Sequence, residues 1–218
     1  MIVACGLRSE ARLIARAGKG VIAVAGGGDS ARLEAELDRA ARETPGLILS
    51  SGVAGALDPA LAPGDLVIDG DAAVVARLHA ALPDALIAPI AGCDAPAATA
   101  AQKRALRASG GAAAVDMESH VARRVARRHG LPYAALRAIS DAADETLPPA
   151  ALVGMRGDGG VALGAVLHSV LRRPAQIPAL IRTARSAGRA MRRLGRAHDV
   201  LGRLGISGLD LGELPLDM

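Results

Sequence analysis

The sequence contains almost no aromatic residues and almost no lysine. Trp and Phe are absent, Tyr133 is the single tyrosine, and 24 of the 26 basic residues are arginine. A codon bias towards Ala, Gly, Arg and Pro accounts for most of this composition. Aromatic side chains are the usual platforms on which proteins stack single-stranded nucleic acid. Their scarcity argues against a nucleic-acid partner.

Cysteines and long apolar runs are equally scarce. Only Cys5 and Cys93 are present, and no Cys/His cluster has zinc spacing. No uncharged apolar run reaches the roughly 18 residues that a membrane helix needs, and no basic and apolar segments of a signal peptide precede Cys5. We therefore expect a cytoplasmic protein without a metal ion. Apolar residues make up 51% of the 218 positions, which is enough for one folded domain.

The formal charge of +4 is concentrated near the C-terminus. Residues 172–203 carry nine arginines against one aspartate, whereas residues 1–171 are almost neutral and residues 204–218 are acidic. This contrast divides the chain into a main domain, 1–171, and a basic extension, 172–218.

The basic extension has the pattern of an amphipathic helix. Apolar residues recur every seven positions between Ile177 and Leu194, which predicts a helix over 176–196 with arginines beside and opposite the apolar stripe. The helix can pack on its own domain with a solvated basic face, or it can lie on an anionic membrane surface. A nucleic-acid contact is a weaker interpretation, because no binding motif accompanies the charge.

Short apolar runs alternate with helical patterns along the rest of the chain. Leu33, Leu37 and Ala41 are spaced as on one face of a helix, and Gly130 is typical of a helix end. This alternation predicts an α/β fold in which helices cover both faces of a mostly parallel sheet. The predicted strands are residues 2–5, 21–25, 47–49, 66–68, 85–90, 112–115 and 133–139.

Glycine and polar residues follow the ends of several predicted strands. Ligands bind outside the carboxyl ends of the strands in an open parallel sheet. We therefore expect one cleft that brings together three carboxylates, Glu10, Glu118 and Asp141, with two glycine-rich turns.

Four short motifs occur in a characteristic order. They are Gly-Val-Ala-Gly at 52–55, Pro-Gly-Asp-Leu-Val-Ile at 63–68, Val-Asp-Met-Glu at 115–118 and Arg-Ala-Ile-Ser-Asp at 137–141. This order, over residues 1 to about 145, resembles the superfamily of purine and uridine phosphorylases and methylthioadenosine/S-adenosylhomocysteine nucleosidases. The details of the motifs and the arginine-rich tail are most similar to its hopanoid-associated phosphorylase branch. That likeness implies a three-layer fold with a mixed sheet, a basic C-terminal helix, and release of adenine from adenosylhopane.

The resemblance also implies a role for each residue of the expected cleft. Asp141 matches the general acid that protonates N7 of the leaving adenine, with Ser140 to orient it. Glu10 matches the glutamate that activates water. Glu118 matches the carboxylate that accepts hydrogen bonds from the ribose hydroxyls, and Met117 is expected to pack on the sugar. The other expected substrate-binding residues are Ala54, Gly55 and Arg137.

Each residue type also has a common structural role. Ser140 and Asp141 can cap a helix, Glu118 can interact with a helix dipole, and Arg137 can be an ion-pair partner. The four motifs in order favour the functional roles of Glu118 and Asp141 over these alternatives, and favour that of Arg137 less.

Phosphate binding has a separate candidate site. The arginine that phosphorylases carry just before the turn at Gly52 is absent, so a glycine turn that leads into a helix is the expected phosphate cradle. Its residues are Gly26, Gly27 and Gly28, with Ser51 and Arg32 as assisting groups. Glu10 favours hydrolysis instead. The likeness to a phosphorylase branch leads us to expect phosphorolysis, with inorganic phosphate as co-substrate and no other cofactor.

The sequence thus predicts an enzyme that releases adenine from an adenosine-type nucleoside, with adenosylhopane as the preferred substrate. We expect a homodimer that contacts the inner membrane through residues 176–196. A soluble methylthioadenosine/S-adenosylhomocysteine nucleosidase is the alternative enzyme. A catalytically silent nucleoside-binding protein at the membrane surface is the alternative outside enzymes.

Overall fold

The computed structural model describes residues 1–17, 20–153, 160, 162–203 and 205. Eight strands in this part of the chain form one sheet. They are β1 (Ile2–Cys5), β2 (Ile22–Ala25), β3 (Ile48–Ala56), β4 (Leu66–Gly70), β5 (Leu86–Ile87), β6 (Ile90–Gly92), β7 (Ala114–Asp116) and β8 (Tyr133–Asp141).

Eight α-helices and one short 3₁₀ helix, Pro174–Gln176, accompany the strands within the same residues. The helices are α1 (Arg8–Ala17), α2 (Ser30–Glu43), α3 (Ala72–Ala81), α4 (Ala100–Gly110), α5 (Ser119–His129), α6 (Pro149–Leu152), α7 (Leu163–Arg172) and α8 (Ile177–Arg203). Helix α5 ends at Gly130, which adopts a left-handed conformation as its C-cap, as expected from the sequence.

The sheet is mixed, with mostly parallel neighbours. Its main path runs β2-β1-β3-β8-β4-β5, and β7 joins it through β3 and then pairs with β6. The β4–β8 and β3–β7 pairs are antiparallel, and the others are parallel. A register shift lies between Ala54 and Gly55, and Gly55 then pairs with Asp141 of β8 on one side and with Val115 of β7 on the other. The carboxyl ends of β1, β3 and β8 therefore lie side by side.

Helices cover both faces of the sheet and make a three-layer structure. Buried residues of α2 and α5, such as Leu37 and Val125, pack on one face. Buried residues of α1, α3 and α8, such as Ile14, Leu78 and Leu194, pack on the other. The predicted α/β class is confirmed.

Several strands run beyond their predicted ends, and one predicted strand is divided. β3, β4 and β8 continue beyond 47–49, 66–68 and 133–139 through stretches that include polar residues or glycines. The predicted strand 85–90 is divided into β5, which pairs with β4, and β6, which pairs with β7. Pro89 lies between them, and proline has no N–H to donate to a neighbouring strand.

Helix α8 is part of the folded domain. It extends beyond the predicted 176–196, and its buried residues Ala190, Leu194, Ala197 and Leu201 join the core beneath the sheet. Within the described residues, the segment expected as an extension therefore shares the core of the main domain. The acidic residues predicted to end it, at 206–218, lie outside the described residues. Among the residues described, no helix combines the length and apolarity needed to cross a bilayer.

Candidate active site

A cavity of about 270 Å³ opens at the carboxyl ends of β1, β3, β7 and β8. Four carboxylates line it: Glu10, Asp116, Glu118 and Asp141. No arginine, lysine or histidine is among its lining residues in the described part of the chain. The remaining wall is largely apolar. The three carboxyl groups predicted from the sequence thus line one cavity.

Glu10 lies in the first turn of α1 and is only 2% exposed. Its Oε2 accepts hydrogen bonds from the backbone N–H groups of Gly6 (3.0 Å) and Leu7 (2.8 Å), and its Oε1 accepts one from Val53 (2.9 Å). Burial raises the pKa of Glu10, while these N–H groups and Arg137 act in the opposite direction. A carboxylate with raised proton affinity, held still by three donors, can take a proton from water.

Glu118 lies beside a buried arginine at the start of α5. Nη2 of Arg137 is 3.4 Å from Glu118 Oε2 and donates a hydrogen bond to Ser50 Oγ (2.6 Å). Nε of the same arginine is 2.5 Å from Asp116 Oδ2. The pKa of Glu118 is raised to about 8, mainly by burial and in addition by the charges of Asp116 and Glu10, while Arg137 opposes the shift. Arg137 is fully buried and does not line the cavity. Arg137 forms ion pairs with Asp116 and Glu118 outside the cavity lining, which is the structural role that the sequence left open for it.

Asp141 ends β8 with both of its oxygens in hydrogen bonds. The Ser140 hydroxyl donates to Oδ1 (2.6 Å), where the sequence placed an orienting group. The Oδ2 atom is in direct contact with the ammonium of Lys103, from α4. Asp141 therefore has an ammonium at one oxygen and a hydroxyl at the other.

Lys103 was missed by the sequence analysis. It lies 38 positions before Asp141, on a helix with no motif of its own, and only the fold brings the two together. One signal was present: Lys103 and Lys19 are the two lysines of a chain with 24 arginines.

Two glycines make room for this cluster. A Cβ atom added at Gly52 would lie 2.5 Å from Arg137 Nη1 and 2.9 Å from Glu10 Oε1. A Cβ atom at Gly6 would lie 2.7 Å from Glu118 Oε1. The glycines of the motif at 52–55 and of the turn after β1 therefore allow backbone and carboxylates to approach closely.

The predicted phosphate cradle at the glycine turn is not formed. The N–H groups of Gly26 and Gly27 donate to the carbonyls of Cys5 and Gly6, both at 2.8 Å, and so continue the pairing of β1 with β2. Asp29 caps the N-terminus of α2 by accepting from the N–H of Arg32 (3.0 Å). These groups are therefore already in hydrogen bonds and do not present a row of donors to an anion.

The two assisting groups of that predicted site also point elsewhere. Nη2 of Arg32 donates to the carbonyls of Ala25 (3.1 Å) and Gly26 (2.7 Å). The Ser51 hydroxyl is 2.8 Å from Nε2 of His198, a residue of α8. Arg32 and Ser51 are therefore structural, and of the five predicted phosphate residues only Gly28 lines the cavity.

The remaining predicted residues do meet at the cavity. Met117, Ala54, Gly55 and Ser140 line it beside the carboxylates. Residues that the sequence analysis did not anticipate close its far side: Leu147, Ala151, Leu152, Thr183 and Ala187, from α6, α8 and the loop before α6. No group of His, Cys, Asp and Glu in the described residues is arranged to hold a metal ion.

Comparison with known proteins supports the resemblance seen in the motifs. The sequence profile of the phosphorylase superfamily matches residues 69–172. This range contains the motifs at 115–118 and 137–141, and those at 52–55 and 63–68 precede it. No curated protein matches the chain.

Solved structures share the fold at low sequence identity. One is an S-adenosylhomocysteine nucleosidase from Streptococcus pyogenes, in complex with 5-methylthiotubericidin, at 16% identity and a TM-score of 0.70; the alignment covers 93% of this chain and 96% of that one. A methylthioadenosine/S-adenosylhomocysteine nucleosidase from S. pneumoniae with a transition-state inhibitor has 16% identity, a TM-score of 0.60 and coverages of 92% and 98%. A futalosine hydrolase mutant from Helicobacter pylori has 17% identity, a TM-score of 0.61 and coverages of 90% and 96%.

Proposed function

We propose that this chain, residues 69–172 of which match the phosphorylase superfamily, hydrolyses the N-glycosidic bond of an adenosine-type nucleoside and releases adenine. The observation that carries the proposal is a single cavity lined by Glu10, Glu118 and Asp141. The bond breaks with positive charge on the ribose and negative charge on the base. Carboxyl groups beside the sugar suit the positive charge on the ribose, and a proton donor beside the base suits the negative charge on the purine.

Each carboxylate has a distinct part in this proposal. Glu10 takes the proton of the attacking water, because its proton affinity is raised by burial. Glu118 accepts hydrogen bonds from the ribose hydroxyls, and Met117 packs on the sugar. Asp141, oriented by Ser140, protonates N7 of adenine as the base leaves. Ala54 and Gly55 form the wall between the acid and the sugar.

Hydrolysis fits the cavity better than phosphorolysis, which the sequence analysis had favoured. A phosphate dianion would enter a space lined by four carboxyl groups and, among the described residues, by no basic side chain. An anion placed there would lose hydration without gaining a cationic partner from the described lining, which disfavours such binding. In the glycine turn that was expected to offset this cost, the N–H groups of Gly26 and Gly27 are in other hydrogen bonds.

The experiment measures adenine release from methylthioadenosine with and without inorganic phosphate. Equal rates in both buffers, with 5-methylthioribose as the sugar product, support hydrolysis. Release that requires phosphate and gives 5-methylthioribose 1-phosphate would overturn the hydrolytic part of the proposal. No adenine release from any adenosine-type nucleoside would favour a silent binding protein.

A nucleoside with a large apolar 5′ substituent is the substrate class that we favour, and adenosylhopane is its representative. Leu147 and Leu152 give the cavity an apolar side, and α6 contacts α7. Helix α7 exposes Leu163, Leu167 and Leu171 at 74%, 60% and 72%. Such a stripe suits an apolar substituent or the lipid surface that contains it. Comparing turnover of adenosylhopane in vesicles with that of methylthioadenosine tests this substrate choice.

A further inference from the structure

Lys103 is a fully buried lysine in direct contact with the proposed acid. Its ammonium contacts Asp141 Oδ2 and donates to the carbonyls of Ala142 (2.6 Å) and Glu145 (3.1 Å). An ammonium has three N–H donors, and three acceptors surround this one. We infer that Lys103 supplies, through Asp141, the proton that the leaving base takes up. This inference rests on the proposed function.

Two groups contact the carboxyl oxygens of Asp141. The ammonium of Lys103 contacts Oδ2, and the Ser140 hydroxyl, with its single proton, is 2.6 Å from Oδ1 and 3.1 Å from the carbonyl oxygen of Ala54. A base that leaves through N7 needs a proton in the transition state, and each turnover takes that proton from the carboxyl group of Asp141. A serine hydroxyl is a far weaker acid than an ammonium, and the guanidinium of Arg137 remains charged in proteins. Lys103 is the neighbour of Asp141 that can release a proton.

The choice of lysine is unusual in this chain. Arginine takes 24 of the 26 basic positions, yet the buried position beside Asp141 is a lysine. Arginine offers a charge that does not leave, whereas a lysine away from water readily becomes a neutral amine. A cation needed only to neutralise Asp141 would not have to be lysine, but a cation that must release a proton would.

The proton balance closes within the proposed reaction. As the C1′–N9 bond breaks, its electron pair passes to the purine, and one proton moves from Lys103 to Oδ2 of Asp141 and from there to N7. Water forms the new bond to C1′ and loses a proton to Glu10. The cycle leaves a neutral amine at Lys103 and a protonated Glu10. Exchange with solvent after adenine leaves then resets both groups.

The first test compares two leaving groups in wild type and Lys103→Met. Methionine keeps the length of the side chain without its charge. With methylthioadenosine at pH 7.5 we expect kcat to fall by about 100-fold, the lower range for loss of a general acid, with KM almost unchanged. With 4-nitrophenyl β-D-riboside, whose leaving group departs without a proton, we expect a change of less than about threefold. Equal losses on both substrates, or no loss on either, would overturn the inference.

The second test is the pH dependence of adenine release. If the wild-type protein does not turn over the nitrophenyl substrate, this test alone decides whether the inference stands. Lowering the pH towards 5 protonates the base Glu10 in both proteins, so the measure is the rate of Lys103→Met relative to wild type at the same pH. This relative rate should recover in acid, because the carboxyl group of Asp141 then takes a proton from solvent. The other charged groups of the cluster, Glu10, Asp116, Glu118 and Arg137, are the same in both proteins. Absence of this recovery would contradict the inference.

Lys103→Arg is the matched control, because it keeps the charge without a releasable proton. It should be as slow as Lys103→Met at pH 7.5 and should not recover in acid. Wild-type rates in Lys103→Arg would show that charge alone suffices and would overturn proton supply. A wild-type protein that releases no adenine from methylthioadenosine or adenosylhopane would instead contradict the proposed function, so the two failures are distinguishable.

Discussion

At the scale of single residues, identical functional groups acquire different properties from their neighbours. Glu10 accepts from three backbone N–H groups, Glu118 lies beside a guanidinium, and Asp141 contacts an ammonium and a hydroxyl. Burial acts on the first two by raising their proton affinity. The partners, rather than the residue type, decide which carboxylate takes a proton and which one passes a proton on.

Replacing Asp141 tests the acid directly. In Asp141→Asn, an amide cannot pass a proton to N7, so kcat for adenine release should fall by roughly three powers of ten with little change in KM. Steady-state kinetics with methylthioadenosine measures both constants. Asp144→Asn, at an exposed position three residues away, is the control and should keep the wild-type rate. Turnover near wild type in Asp141→Asn would show that Asp141 is not the acid.

The raised pKa of Glu118 predicts a pH dependence of stability. Its folded-state pKa of about 8 lies above the ordinary value of 4.5, so the folded protein holds a proton that the unfolded chain has released. This contribution to the free energy of unfolding is fully present below pH 4.5 and is lost as the pH rises to about 8. Urea unfolding at pH 5, 6.5 and 8 should show a smaller loss of unfolding free energy with rising pH in Glu118→Gln than in wild type, because glutamine has no proton to release. Parallel curves for the two proteins would contradict the shift.

At the scale of secondary-structure elements, the sequence predicts positions well and lengths less well. Apolar runs marked the buried starts of β3 and β8, because a strand covered on both faces is apolar. The continuation of β3 contains Ser50, Ser51 and Gly52, and that of β8 contains Ser140 and Asp141, all residue types that are typical of loops. Their polar groups are satisfied by distant partners, such as His198 for Ser51, and no local pattern reveals such pairs. The carboxylates were predictable because strand ends converge, whereas Lys103 was not.

The contact between β3 and α8 predicts acid sensitivity. Burial lowers the pKa of His198 to about 4 from an ordinary value of 6.5, so the folded protein keeps this ring neutral. Its contribution to stability is present above pH 6.5 and is lost as the pH falls towards 4, by up to about 3 kcal/mol. Between pH 7 and 4.5, His198→Gln should lose less unfolding free energy than wild type. The control is His168→Gln, at an exposed position of α7, which should follow the wild-type curve. Identical pH dependence of the unfolding free energy in wild type and His198→Gln would show that His198 does not cause the acid sensitivity.

At the scale of the whole molecule, the two ends of α8 have different surroundings. Its C-terminal half is buried beneath the sheet, while Ile177 and Ile181 near its start are 40% and 45% exposed. The repeat of apolar residues did not distinguish these halves, because periodicity defines a face and not what covers it. Thr183 and Ala187, between the two halves, line the cavity. The helix thus joins the core, the candidate site and an exposed surface that is both basic and apolar.

That surface carries the prediction of membrane docking. Arg172, Arg182 and Arg185 are exposed near the leucine stripe of α7, and each arginine near an anionic bilayer contributes about 1 kcal/mol. Removal of α8 would take Leu194 and its neighbours from the core, so charge substitution is a sharper test than truncation. The triple Arg→Ser variant at these positions should bind vesicles of anionic phospholipid about 100-fold more weakly than wild type at low salt.

Cosedimentation at low and high salt measures this binding, and wild type should be released as salt screens the charge. The matched control replaces Arg12, Arg39 and Arg104 by serine; these exposed arginines lie on other helices. It has the same net charge as the test variant, so a general electrostatic attraction would weaken binding equally in both. Binding lost only in the test variant assigns docking to the start of α8 and the end of α7, which would hold the apolar side of the cavity against the bilayer. Equal vesicle binding by wild type and the test variant would show that this surface does not dock the protein on the membrane.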